Sequence, residues 1–226
     1  MIYLLIIIVT LVLSFLITAI FRMDMGIYLR SYCRERNEGI KSVMITFDDG
    51  PHPDFTPMIL DVLRERGVKA VFFLIGEKAI ENPQIVRRIV DEGHLTGIHS
   101  LRHTPEFTIS SKKLVKRDLV ATKNILEELT GVKTKLFRPP YGVTNPSIGG
   151  AVKELGLISV GWSLRSFDTI SGHDTEKVLK RVEKGMHDGA IILLHDRMPD
   201  SAMLTEKILN YLDTTGYEAK LFSRVL

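Results

Sequence analysis

Carboxylate, imidazole and guanidinium groups recur at five points along this 226-residue chain, each directly after a short apolar, β-rich run. Val43–Phe47 leads into Asp48-Asp49-Gly50-Pro51. His94–Ile98 leads into His99-Ser100-Leu101-Arg102-His103. Thr134–Phe137 leads into Arg138-Pro139-Pro140-Tyr141-Gly142, Leu157–Trp162 into Ser163–Asp168, and Ala190–Leu194 into His195-Asp196. In parallel α/β folds the functional groups lie at the carboxyl ends of strands. One such coincidence carries little weight, but five on one face suggest an active site.

Each group also has an ordinary explanation on its own. Asp-Asp-Gly-Pro is a serviceable turn. His99 and His103 could be a surface pair, His195 a satisfied core histidine, Arg138 an ordinary surface arginine and Asp168 a loop carboxylate. Jointly they describe chemistry. Adjacent residues of an extended segment point to opposite sides, so Asp48 and Asp49 can divide roles between a metal and a water. The i,i+4 spacing of His99 and His103 brings both rings to one side of a helical turn, where they can share a cation. Two imidazoles and one carboxylate leave coordination positions open for water and substrate. The stiff Arg138-Pro139-Pro140 segment suits a guanidinium held against a carboxylate. The set reads as metal-assisted hydrolysis, with a carboxylate base and a histidine acid.

The elements that must position these groups alternate. To the five runs above the reading adds strands at Ala70–Ile75 and Tyr217–Phe222, giving seven. Helices are expected at Thr56–Arg66, Pro83–Glu92, Ser111–Thr130, Pro146–Leu155, Asp174–His187 and Ser201–Thr214. Several are followed by glycine, as at Gly131 and Gly216. Strands alternating with helices imply a parallel sheet, barrel-like or doubly wound.

Charge is distributed unevenly. All 30 Lys and Arg and all 27 Asp and Glu lie beyond residue 21, and Met1–Phe21 is apolar except for Thr10, Ser14 and Thr18. About 20 such residues cross a bilayer as a helix. With no basic residue ahead of the run, an uncleaved anchor is favoured over a cleaved signal. A buried core helix is the remaining reading. Residues 22–41 read as a polar juxtamembrane connector carrying Arg22, Arg30, Arg34, Arg36 and the lone Cys33. Those arginines, taken alone, argue for a cytoplasmic domain. No second span follows, one cysteine excludes a disulfide scaffold, and apolar content excludes disorder. A net charge of +3 without a basic stripe speaks against a nucleic-acid partner.

From about Lys41 to Leu226 the chain resembles the polysaccharide deacetylase family, the NodB-homology domain of carbohydrate esterase family 4. Five motifs carry the resemblance: Thr46–Pro51, His99–His103, Arg138–Tyr141, Arg165–Thr169 and Leu193–His195. Phe72–Gly76 also resembles a family signature. The resemblance implies a distorted (β/α)7 barrel over residues 42–226. It implies Asp48 as base, Asp49, His99 and His103 as metal ligands, and Arg138 as the partner of Asp48. It further implies that the Tyr141 N–H helps hold the oxyanion, that Leu193 lines the acetyl pocket, and that His195 is the general acid oriented by Asp168. The implied cofactor is a divalent metal, zinc by family habit, although cobalt, nickel or another ion suits His2Asp. The fourth motif departs from the family's Asp-x-x-Asp-Trp. Arg165 and Thr169 replace its first aspartate and its tryptophan, a wall that Trp162 could supply in part. Ile98 stands where asparagine is usual.

The expected function is N-deacetylation of an amino-sugar polymer such as chitin or peptidoglycan, by a membrane-held domain facing outward. Such enzymes work outside the cytoplasm, which opposes the arginine count. An O-deacetylase and a catalytically silent carbohydrate-binding protein are the alternatives. The sequence does not specify the oligomeric state.

Overall fold

A computed structural model describes residues 1–35, 41–170 and 174–226. The chain begins with helix α1 (Ile2–Phe21) and continues into strand β1 (Ser31–Tyr32). Strand β2 (Ser42–Gly50) leads to α2 (Phe55–Glu65), β3 (Val71–Leu74), α3 (Gly76–Glu81), α4 (Pro83–Asp91) and β4 (Leu95–Ile98). There follow α5 (Glu106–Ile109), α6 (Lys112–Thr130), β5 (Leu136–Phe137), α7 (Pro146–Glu154), β6 (Ile158–Val160) and β7 (Leu164–Arg165). The chain closes with α8 (Thr175–Gly185), β8 (Ala190–His195), α9 (Ser201–Thr215) and β9 (Glu218–Ala219). The strands form one parallel sheet in the order β1-β6-β5-β4-β3-β2-β8-β7, with β9 beside the start of β2. The sheet curls into the expected distorted barrel, with helices outside.

Period-two alternation decides which residues reach the site. In β2, Val43, Ile45 and Phe47 join the outer core beneath the helices, while Met44 joins the cluster inside the barrel. Thr46 and Asp48 share the parity of Met44. In β8, Ala190, Ile192 and Leu194 point outward and Ile191 inward, so Leu193 and His195 share the inner face. The parallel register sets Asp48 beside His195. Phe137 packs outward, and Arg138 follows it on the inner parity.

The helices form for local reasons. In α6, Val115, Leu119, Thr122 and Leu126 make one buried stripe at spacings of three and four. The Asn145 side chain accepts the Ile148 N–H at 2.9 Å and caps α7, and Asp174 caps α8 through the Lys177 N–H. All six expected helices are present within a residue or two. Two short strands, β1 and β7, and two short helices, α3 and α5, join them.

Helix α1 has a mean hydropathy of 3.1, and only 6% of its apolar window is buried. A core helix is thereby set aside, and α1 is long and apolar enough to cross a membrane. The expected connector differs from its description. Met23 and Leu29 are buried, β1 pairs with β6, and Arg34 bridges to Ala190 at the start of β8. The Glu35 N–H donates to the Gly189 carbonyl at 2.9 Å. This segment therefore stitches the barrel seam between β6 and β8. Two of its arginines are engaged as well: Arg22 pairs with Asp24, and Arg34 Nε donates to the Asp188 carbonyl. Arg36 lies outside the described residues. Cys33, mostly enclosed here, has its thiol pushed up to about 11 by burial.

Gly189 sits at φ 72°, and a Cβ there would lie 1.9 Å from the Glu35 carbonyl oxygen. Gly189→Ala is expected to cost about 2–4 kcal/mol, since left-handed strain adds to a backbone clash. The loss is to be read as a lower denaturation midpoint, and equal stability would contradict the role of the seam.

Candidate active site

Arg138 is the largest fully buried side chain of the domain, with no exposed surface. Each of its three guanidinium nitrogens donates. Nε donates to the Val160 carbonyl at 3.0 Å and Nη2 to the Gly161 carbonyl at 2.7 Å. Nη1 donates to Thr46 Oγ1 at 2.8 Å and to Asp48 Oδ1 at 2.7 Å. Its guanidinium carbon lies 4.2 Å from the Phe73 ring centre, a cation–π contact. The expected Arg138–Asp48 pairing is thus present, and Asp48 Oδ2 is left on the side of His99, 3.7 Å from its Nε2.

Asp48 and Asp49 do not point apart. Asp49 adopts φ 74°, and the β2–β3 register shifts between Asp48 and Gly50. This bulge turns Asp49 toward the same histidine that Asp48 faces, so both carboxylates converge. Asp49 Oδ1 lies 3.5 Å from His99 Nε2 and 3.3 Å from His103 Nε2. The histidines meet without a helical turn. Residues 99–103 form a loop in which Ser100 and His103 take left-handed φ values of 64° and 54°. The Ser100 hydroxyl accepts the His103 N–H at 2.9 Å, and the ring centres stand 4.7 Å apart.

The donors of Asp49, His99 and His103 all lie within 4.8 Å of one another. His99 Nδ1 is 2.8 Å from the Arg138 carbonyl. Donation there fixes the tautomer and leaves the Nε2 lone pair facing Asp49, the outer-sphere arrangement expected behind a metal ligand. Burial and the charge of His99 push the His103 imidazole down to about 4, so its ring is neutral and can offer a lone pair at neutral pH. A mixed nitrogen and oxygen donor set of this kind fits a divalent transition ion.

His195 ends β8, beside Asp48 on the neighbouring strand. Its Nδ1 is 2.8 Å from Asp168 Oδ1, and its backbone N–H donates to Asp168 Oδ2 at 2.7 Å. Asp168 is held in turn by the Thr169 N–H. Burial disfavours the imidazolium, but the hydrogen bond and charge of Asp168, with the charges of Asp48 and Asp49, outweigh it and raise the His195 pKa. Leu193 is buried one pleat below His195, and its carbonyl accepts the Ser166 hydroxyl. Tyr141 is half exposed at φ 59°, with its hydroxyl donating to the His103 carbonyl. Of the departing positions, Arg165 is exposed and stacks on Phe167, 4.7 Å from its ring centre. Trp162 packs against Gly142 and the Arg138 guanidinium.

Two contributors, Arg197 and Lys78, escape a reading of the sequence, and a third, Asp196, is named there beside His195 without a role of its own. Arg197 Nε donates to Asp49 Oδ2 at 2.7 Å, leaving Oδ1 for the histidine side. Lys78 Nζ donates to the Asp49 carbonyl. Asp196 is fully buried, accepts the Thr56 hydroxyl, and is pushed up to about 7 by burial. Only their nearness in sequence to other site residues, or to none, was available as a signal.

Fold and site together define a curled parallel (β/α) barrel with a histidine–carboxylate cluster between an Arg-held and a His-holding aspartate. A family model described as polysaccharide deacetylase matches residues 35–160, and the chain belongs to that family. It is 37% identical over 79% of its length to the peptidoglycan-N-acetylglucosamine deacetylase PgdA of Listeria monocytogenes, but spans only 37% of that longer protein. A peptidoglycan-N-acetylglucosamine deacetylase of Bacillus cereus is 35% identical, with 82% of this chain and 88% of the relative covered. Among solved structures, a carbohydrate esterase family 4 pseudoenzyme from Bacillus anthracis superposes with a TM-score of 0.77. It is 25% identical over 84% of this chain and 66% of that one.

Replacing Arg138 by Met strands the Asp48 carboxylate in a buried site. The expected cost is about 3–5 kcal/mol in chemical denaturation, with Arg138→Lys recovering little because an ammonium lacks the fork. Asp168→Asn removes the interaction that raises the His195 pKa. The imidazolium then loses its proton at lower pH, so the alkaline limb of any activity that uses His195 as acid shifts to lower pH. An unmoved limb would exclude that pairing from the chemistry.

Proposed function

We propose that the chain is a hydrolase that removes N-acetyl groups from an amino-sugar polymer of the cell envelope, peptidoglycan or a chitin-like glycan. The observation that carries this reading is the convergence of Asp48, the Asp49-His99-His103 cluster and His195 at one mouth. Peptidoglycan and chitooligosaccharide deacetylases among the relatives support the substrate class.

Asp49, His99 and His103 would hold a divalent ion, with zinc, cobalt and nickel all suited to the donors, and that ion would supply Lewis-acid polarisation of the acetamide. Asp48, kept oriented by Arg138, takes a proton from the attacking water. A carbon–oxygen bond forms at the carbonyl carbon, and the developing oxyanion meets the Tyr141 N–H. His195, held by Asp168, gives a proton to the nitrogen as the carbon–nitrogen bond breaks. Acetate and a free amine leave. Leu193, on the inner face below His195, lines the pocket for the acetyl methyl.

Helix α1 is read as a retained anchor ahead of a deacetylase domain, with that domain outside the cytoplasm beside its polymer. The arginines that follow α1 do not oppose this reading strongly, because long domains translocate largely regardless of flanking charge. A silent carbohydrate-binding protein is disfavoured, since Asp48, Asp49, His99, His103 and His195 are all present.

Acetate release from N-acetylglucosamine oligomers, peptidoglycan and acetylated xylan is the direct test. Release from the first two is expected, and release from xylan alone would make the chain an O-deacetylase. Asp48→Asn should lower kcat by about 10²–10⁴ while leaving metal binding intact. Chelation should abolish turnover and added metal restore it, and activity surviving in a metal-free sample would remove the ion from the mechanism.

A further inference from the structure

The end of helix α1 is bonded to the loop that carries Tyr141. The Thr144 N–H donates to the Ile20 carbonyl at 2.8 Å, and the Thr144 hydroxyl lies 3.1 Å from the Ala19 carbonyl. These are last-turn carbonyls that have no partner within the helix. Thr144 is buried, and Ala19 is only 1% exposed, the one buried residue of α1. The Tyr28 hydroxyl donates to the Leu16 carbonyl at 3.1 Å, and the Tyr28 backbone lies against Gly149, where a Cβ would come within 2.0 Å. Met23, two residues past the helix, packs beside Gly142 opposite Trp162. The span therefore ends in a built socket.

What it braces is strained. Tyr141 at φ 59° and Gly142 at φ 70° are consecutive left-handed residues. A non-glycine residue in that region costs of order 1–3 kcal/mol and persists only where its surroundings over-determine it. On one side the Gly142 N–H to Pro139 bond and the Tyr141 hydroxyl to His103 bond hold the loop. On the other side the support is Thr144 and the helix end.

We propose that the C-terminal end of the membrane helix is a positioning element of the active site, holding the Tyr141 backbone through Thr144 in the orientation that meets the oxyanion. This rests on the deacetylase reading. Because the Tyr141 N–H acts on charge that develops only in the transition state, loosening the socket lowers kcat. It leaves KM and the Asp49-His99-His103 ligands alone.

The test uses the full chain in nanodiscs. Thr144→Val removes the hydroxyl contact at constant volume, Ala19→Leu wedges the helix end off the domain, and Thr144→Ser is the conservative control. For Thr144→Val and Ala19→Leu the expectation is a kcat about 5–20-fold lower, part of the loss seen when an oxyanion donor is removed outright. KM and the affinity in a cobalt(II) titration should stay within about twofold of the parent, with Thr144→Ser near the parent throughout. Hydrogen exchange at the backbone amides of residues 141–145 should be faster in both variants. That readout holds even if the parent releases no acetate, in which case the deacetylase reading fails separately. Unchanged kcat and exchange in both variants would overturn the proposal. So would a joint fall of kcat, KM performance and cobalt affinity, which would make the socket a general support.

Discussion

A guanidinium sealed inside a barrel has to satisfy five donors and one charge, and that requirement organises this molecule. Arg138 leaves strand β5, yet its partners lie on β2 and at the end of β6: Thr46, Asp48, Val160 and Gly161. Three strand ends are pinned to one side chain. An isolated buried charge is prohibitive, and the pair is sustained because every guanidinium nitrogen is hydrogen-bonded and the charge is met by Asp48. The same requirement orients Asp48, whose second oxygen is left facing the His99 cluster. The Arg138 backbone adds a further constraint, since its carbonyl fixes the His99 ring. One residue thus sets the orientation of both Asp48 and His99.

Much of this arrangement was legible in residue types and order. Asp48, Asp49, His99, His103, Arg138, Asp168 and His195 were found because each lies after an apolar run, and period-two alternation accounts for the inward parity of Asp48, Arg138 and His195. Long helices such as α6 were legible because their stripe of buried residues repeats over several turns. What escaped lacked a repeating signal. A two-residue strand such as β1 or β7 has no period to detect, and α3 and α5 are too short to show a stripe. The convergence of Asp48 and Asp49 depends on a left-handed residue at a bulge, where extended geometry predicted divergence. The histidine pair shares a side through two left-handed loop residues and not through a helical turn. Arg197 reaches Asp49 from the end of the neighbouring strand β8, a contact that only tertiary structure creates.

The site also separates its charges by environment. Asp168 is enclosed with His195 and raises its proton affinity, whereas His103, crowded by His99 and burial, stays neutral. One imidazole is thereby favoured in its protonated form and the other in its neutral form, within the same mouth. Chemical identity at the two positions is the same, and the carboxylate and ring placed beside each decide the difference.

The seam has a temporal side as well. Ser31 is bonded to Ser159, 128 residues later, and Arg34 to Asp188, 154 residues later. The earliest part of the domain to be synthesised waits for nearly the last before it can pair. Contacts of such separation are the slow ones in folding, because loop entropy must be overcome before they add stability. The barrel therefore closes last at its own beginning, just past helix α1, and until β6 and β8 arrive that stretch is an unpaired edge.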